Sequence, residues 1–281
     1  FGVTAILGKL ISLNSLPLVW NRLWVAVIGL LFIPGAIRGL KQMNYKSIAL
    51  FLGIGLIVAV HWITFYGSIK LGDSASVTLA CMATASLFTS VLEPLITKSK
   101  FQFMELVLGA FVIIGILFLT GVGRAYTEAI VVGLISAFLA ALFSTLNKKY
   151  IGSNNSISIS VLELSSGFIL ISLLYPLLRW QFPEMRWMPV KTDWVYLLIL
   201  GLLCTSVAYV LALSALKHLS AFISNLSVNL EPVYGILLAI WLLNEDKDLN
   251  QNFYIGTGII LAAVLLHPIL TKVKKRRHAR E

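Results

Sequence analysis

From Trp194 to Leu216 the chain runs for 23 residues without a single charge. A helix of that length is about 35 Å long at ~1.5 Å per residue, enough to cross the ~30 Å hydrocarbon core of a bilayer. A segment in lipid must satisfy its backbone hydrogen bonds internally, so helix is the form open to it. This run points to a membrane protein, and the composition agrees. Of 281 residues 58% are hydrophobic and 12% charged, and the mean hydropathy is +0.90. Soluble domains carry about 25% charged residues.

Ten apolar runs follow one another, over about 1–14, 16–37, 47–70, 73–97, 102–123, 129–148, 156–179, 193–216, 219–243 and 252–271. The chain opens at Phe1 rather than Met, so the first span is expected to be clipped. The connections are short, and only 180–192 is long. Its Trp180 and Trp187, with Trp194, are expected to form an interfacial belt. The net charge is +10, but six of the 22 basic residues lie between Lys272 and Arg280. A basic tail after a span reads as an anchor beside anionic lipid, not as a nucleic-acid site. With the N-terminus inside, 14 basic residues fall inside and 6 outside, while Lys9 and Arg22 fall within spans. That bias predicts a multi-pass protein of the inner cell membrane with both termini cytoplasmic. Cys81 and Cys204 sit in apolar runs and read as packing residues, with no metal-ligand spacing and no cofactor motif.

The chain repeats itself weakly. Ser74-Ala75 and Ser220-Ala221 open the fourth and ninth runs at an offset of 146, and Gly109 and Gly256 differ by 147. The halves, 1–124 and 125–281, hold five runs each. An odd number makes the second half enter from the opposite side, so the repeat is expected to be inverted.

Two segments carry a resemblance: KLGDSASVTLACMATASLFTSVLEPLI (Lys70–Ile96) and ALKHLSAFISNLSVNLEPVYGILLAIWLLNE (Ala215–Glu245). In the second, small residues enter the span, a proline follows eleven residues after Ala221, and an acidic residue thirteen after that. In this the chain resembles the EamA family of the drug/metabolite transporter superfamily over nearly its whole length. The resemblance implies an all-α integral membrane fold of ten transmembrane helices in a 5+5 inverted repeat, and export or uptake of small metabolites. One position departs from it: the residue matching Pro232 in the first half is Ser86, and Glu93-Pro94 lies eight residues away.

Depth sorts the intramembrane charges. Glu231 lies about 18 Å from the cytoplasmic end of its run, and His61 about 21 Å. Glu93 and Glu163 lie about 6 Å and about 10 Å from that end, and Arg22 and Lys9 within about 10 Å of the outer one. Charges near an end can reach interfacial water, so Glu93, Glu163 and Lys9 read first as snorkelling residues. A carboxylate at the midplane costs at least ~2.5 kcal/mol. Glu231 therefore needs a cavity, a partner or a proton, with His61 and then Arg22 as the nearest partners in depth. Ser224, Ser227, Glu231 and Tyr234 share one helical face, with Asn225 and Asn229 beside it, and Pro232 is expected to bend the span there. That stretch reads as a cavity wall. Trp62 and Tyr66 follow His61 and are candidate lining residues, with Tyr209. A second stripe runs through Ser86, Thr89, Ser90 and Glu93, where hydroxyls can equally bond their own backbone.

The expected function is a secondary carrier for a small polar or amphipathic metabolite, amino-acid-like or amine-like, working by alternating access with the proton as candidate coupling ion. A lipid flippase of the same superfamily is the alternative. A membrane-embedded enzyme is disfavoured, since HExxH, GxSxG and Cys/His clusters are missing, and no P-loop couples ATP. The expected partners are the small-molecule substrate and the lipid bilayer, with the chain a monomer or homodimer and no nucleic acid bound.

Overall fold

The computed structural model describes residues 3–99, 101, 111, 114, 115, 118, 124–228, 230–247 and 249–278. The fifth apolar run, with Gly109, lies almost wholly outside the described residues.

All regular structure among the described residues is helical. The order is α1 (Val3–Leu10), α2 (Ser15–Leu31), α3 (Ala36–Gln42), α4 (Tyr45–Gly72), α5 (Ala75–Met82), α6 (Ala85–Thr97), α7 (Arg124–Tyr150) and α8 (Ser156–Gln181). Then come α9 (Lys191–Leu198), a π-helical segment (Ile199–Val207), α10 (Ala208–Leu216), α11 (Ala221–Val228), α12 (Leu230–Leu243), a single 3₁₀ turn (Glu245–Lys247) and α13 (Gln251–His278). The segments Tyr45–Gly72, Ala75–Thr97, Tyr126–Tyr150, Ser156–Gln181 and Lys191–Leu216 are each long and apolar enough to cross a bilayer. The pair α1 and α2 passes the same test together, bent by 120°. Large apolar side chains stand on the outer faces: Trp241 is 76% exposed and Leu173 74%. In water such a surface would aggregate; in lipid it is the expected exterior. The chain is an all-α integral membrane protein.

Helix limits follow local chemistry. Asn44 accepts from Ser47 N at 2.8 Å to start α4, Ser74 accepts from Val77 N at 3.2 Å to start α5, and Asn155 accepts from Ile157 N at 2.8 Å to start α8. Helix α4 is the hub, packed on α7 and α8. Its contact with α8 is backbone against backbone: a β-carbon on Gly55 would stand 2.3 Å from the Glu163 carbonyl oxygen. Small residues allow such approaches between membrane helices.

One span is interrupted among the described residues. The fourth breaks at Ala83–Thr84, where the Thr84 hydroxyl satisfies the Cys81 carbonyl oxygen at 2.7 Å. In the ninth, α11 and α12 flank Asn229, which lies outside the described residues. The two spans lie antiparallel, α5 against α12 and α6 against α11. The sequence expectation of a bend at Pro232 falls next to Asn229, which lies outside the described residues. The tryptophan belt needs correction. Trp180 is 78% exposed, but Trp187 is 5% exposed, packed on Tyr175 with ring centroids 4.7 Å apart. The connection folds back over the helix ends, and Asn21 Nδ2 donates to the Trp187 carbonyl oxygen at 2.9 Å.

Candidate functional site

A cavity of about 120 Å³ lies between the helices, walled by side chains from both halves of the sequence. Helix α2 supplies Arg22, α4 supplies His61, Trp62 and Phe65, α7 supplies Phe143, Ser144 and Asn147, and α10 supplies Tyr209. Ser224 enters from α11 and Glu231 from α12.

Arg22 is 1% exposed. Its guanidinium lies over the Trp62 ring, 3.9 Å from the centroid, and donates to Tyr66 Oη at 2.7 Å and Thr205 Oγ1 at 2.6 Å. Cation–π stacking and two hydroxyl acceptors hold the cation in an apolar interior. Thr205 is placed by the π-helical segment. Its hydroxyl donates to the Leu200 carbonyl oxygen at 2.6 Å, and Ser206 does the same to Gly201 at 3.0 Å, each five residues back. Those contacts match the wide turn, and π segments cluster at functional sites. Sequence reading missed Thr205; a Thr-Ser pair inside an otherwise apolar span was the available signal.

His61 does not pair with Glu231. Its Nδ1 lies 2.9 Å from both the carbonyl oxygen and the hydroxyl of Ser136 on α7. Among the described residues no ion pair joins Glu231 to Arg22 or His61. Tyr66 is fully buried behind Arg22 rather than on the wall. Tyr209 packs edge-on to Trp62, centroids 6.0 Å apart. Tyr234, expected on the Glu231 face, is 43% exposed and off the wall. Beyond Glu231 the buried positions are Gly235, Ile236 and Ala239, because α12 turns its small residues toward α5. Asn229 and the side chains of Asn225 and Ser227 lie outside the described residues.

Glu163 corrects the snorkelling expectation. It is 0% exposed, and its Oε2 accepts from Tyr209 Oη and from Asn147 Nδ2, the latter at 3.3 Å. Position along its own helix set its expected depth, but α4 covers it through Gly55. Ser86 is buried away from the cavity, and Thr89 and Ser90 bond carbonyl oxygens of their own helix.

Glu93 and Lys9 do other work. Glu93 receives Ala221 N at 3.2 Å and Phe222 N at 2.7 Å, capping the start of α11. At the other end Glu245 receives Ser74 Oγ at 3.0 Å, Ala75 N at 2.8 Å and Ser76 N at 2.9 Å, capping α5, and pairs with Lys9 at 3.2 Å. Lys9 also donates to the Asp73 carbonyl oxygen. The fourth and ninth spans thus hold each other's N-terminus with a carboxylate, where the helix dipole favours negative charge. Burial pushes the Glu245 carboxyl up, but the donors from Ser76 and Ala75 and the Lys9 ammonium outweigh it and leave it below its ordinary range.

Comparison with known proteins bears on the whole chain. Residues 1–121 and 127–267 match the model of a family described as the EamA-like transporter family. A Bacillus subtilis (strain 168) protein named uncharacterized transporter YxxF is 21% identical over 274 residues, covering 95% of this chain and 85% of that protein. A solved crystal structure superposes with a TM-score of 0.64 at 13% identity, covering 96% of each chain, a likeness of fold alone.

Proposed function

The chain belongs to the EamA-like transporter family, and on that premise we propose that it is a secondary carrier for a small amphipathic zwitterion, such as an amino-acid-like metabolite. One observation carries the reading. A guanidinium and a carboxylate, Arg22 and Glu231, line one cavity among aromatic rings with no ion pair joining them. Opposite charges kept apart in a low-dielectric space suit a ligand that carries both. Arg22 would take the acid group, Glu231 the amine, and the rings of Trp62, Phe65 and Phe143 the apolar body. The space of about 120 Å³ is below the ~300–1,000 Å³ usual for ligand pockets. The helix halves must part to admit a metabolite, which is alternating access. Two family matches of similar length, and two spans that cap each other's N-termini, support a 5+5 inverted repeat. The charge bias supports an inner-membrane orientation with cytoplasmic termini. The family match favours transport over enzymatic chemistry. A lipid path would need a polar groove open sideways, yet the lateral hollow between Trp20, Trp24, Phe168, Met188 and Trp194 is apolar apart from Asn21.

The test is a thermal-shift screen of the purified protein against amino acids, their decarboxylated amines, their deaminated acids, and nucleosides. A ligand that binds only the folded state stabilises it by mass action, by about 2.7 kcal/mol at a hundredfold excess over Kd. Zwitterions should raise the melting temperature, and Arg22→Gln and Glu231→Gln should each remove that rise. Amines that stabilise as well as their parent zwitterions would sink the assignment of Arg22.

A further inference from the structure

Behind the cavity wall sits a carboxyl group that the substrate reading does not use. Glu163 is fully buried between α4, α7, α8 and α10, and both donors it has go to the same oxygen, Oε2. Its other oxygen, Oε1, has no partner, and neither has the buried side-chain carbonyl oxygen Oδ1 of Asn147. Among the described residues no cation pairs with it.

The charged and titratable groups around it are all engaged elsewhere or distant. Tyr209, from α10, touches it as a donor. Arg22, from α2, is bound to Tyr66 and Thr205, and His61, from α4, to Ser136. Glu231 is on the far span, and Lys148, from α7, reaches the Leu216 carbonyl oxygen at 2.8 Å. Arg38 and Lys41, on α3, are exposed. An ionised carboxylate in such a place has lost its water without gaining a counter-charge, which is the costly arrangement. A single proton removes the charge and gives the pair Glu163–Asn147 the donor both free acceptors lack.

Resting on the transporter reading above, we propose that Glu163 is a proton-binding site of this carrier, loaded through the cavity. Hydronium in cavity water would give its proton to the carboxylate, leaving water and the neutral acid. The way in is short, because Asn147 and Tyr209 both line the cavity and both touch Glu163. On the opposite side α4 packs backbone to backbone on α8 at Gly55. A substrate that displaces the Tyr209 hydroxyl would change the donors on Glu163, which ties proton occupancy to cavity occupancy.

The experiment reads the proton directly. Infrared difference spectra between alkaline and acid pH are recorded for the purified protein in lipid nanodiscs, for wild type, Glu163→Gln, Glu231→Gln and Tyr209→Phe. Wild type should show the carbonyl stretch of a buried protonated carboxylic acid. Glu163→Gln should lose that band and Glu231→Gln should keep it. Tyr209→Phe should move it to higher frequency, as the acid loses a hydrogen bond. A band that survives Glu163→Gln, or vanishes only in Glu231→Gln, overturns the proposal. Should Glu163→Gln fail to fold, an unmoved band in Tyr209→Phe overturns it by itself. If sodium at fixed pH raises the melting temperature of wild type but not of Glu163→Gln, the site holds a metal ion and the proton assignment falls. None of these readouts needs a known substrate, so failure here leaves the carrier reading standing, and failure of the carrier reading leaves the band.

Discussion

The two ends of the antiparallel helix pair are built on one plan with unequal strength. At one end Glu245 takes a hydroxyl, two backbone N–H groups and the Lys9 ammonium, and is 1% exposed. At the other Glu93 takes two backbone N–H groups, is partly buried, and has no ion pair among the described residues. On the proposed topology Glu245 lies at the outer face and Glu93 at the cytoplasmic face. Two helix ends held by a buried charged network separate with difficulty, and two held by a single cap separate easily. The difference teaches which end is the weaker clasp: on the proposed alternating-access reading, the fold should part first at the Glu93 end.

The sharpest way to break that comparison is to remove each carboxylate. Glu245→Ala strands three neutral donors, while the Lys9 ammonium keeps Asp73, and should cost about 3 kcal/mol. Glu93→Ala removes an N-cap and should cost about 0.5–2 kcal/mol. Thermal or denaturant unfolding of both variants in nanodiscs measures the gap. Equal losses would end the claim that one end is the firmer.

Much of the helix layout was legible. The runs at 47–70, 156–179 and 193–216 became helices at Tyr45–Gly72, Ser156–Gln181 and Lys191–Leu216, because Asn44 and Asn155 supply caps and the apolar lengths fit a bilayer. What was illegible depends on partners far away in the chain. The π-helical segment rests on Thr205 and Ser206, and Ser206 also bonds the Ala26 carbonyl oxygen at 3.0 Å, 180 residues back. The break at Ala83–Thr84 carries neither Gly nor Pro. Glu163 looked accessible when depth was counted along one helix, since that count cannot see α4 pressed against it. Glu93 and Glu231 share the triplet Leu-Glu-Pro yet do different work, one capping a helix end and one lining the cavity.

A second, smaller effect sharpens the comparison by isolating the cation. Lys9→Met leaves Glu245 with its three neutral donors and should cost about 1–2 kcal/mol, less than Glu245→Ala. In a double-mutant cycle with Glu245→Gln the coupling should exceed about 0.5 kcal/mol, as for residues in one network. Lys9→Met with no effect would make Lys9 a solvated bystander and leave the two ends differing only by a hydroxyl.

The smallest expected effect is on pH dependence, because burial and the donors pull the Glu245 carboxyl in opposite directions, with the donors prevailing. Its folded-state pKa is depressed below the unfolded value of about 4.3. A group of that kind adds stability that is present above the unfolded pKa and is lost as pH falls through the folded one. Wild type should therefore lose part of its stability on acidification below about pH 4.3, where the unfolded chain binds the proton more readily than the clasp does. Glu245→Gln has nothing to titrate there. It should be less stable at neutral pH and should lose less on acidification, so that the two melting curves converge in acid. Other carboxylates titrate over the same range, which is why the difference between the two proteins is the quantity to read. Curves that stay parallel into acid would mean that Glu245 is held no more tightly than an exposed carboxylate, and the contrast between the two ends would lose its electrostatic half.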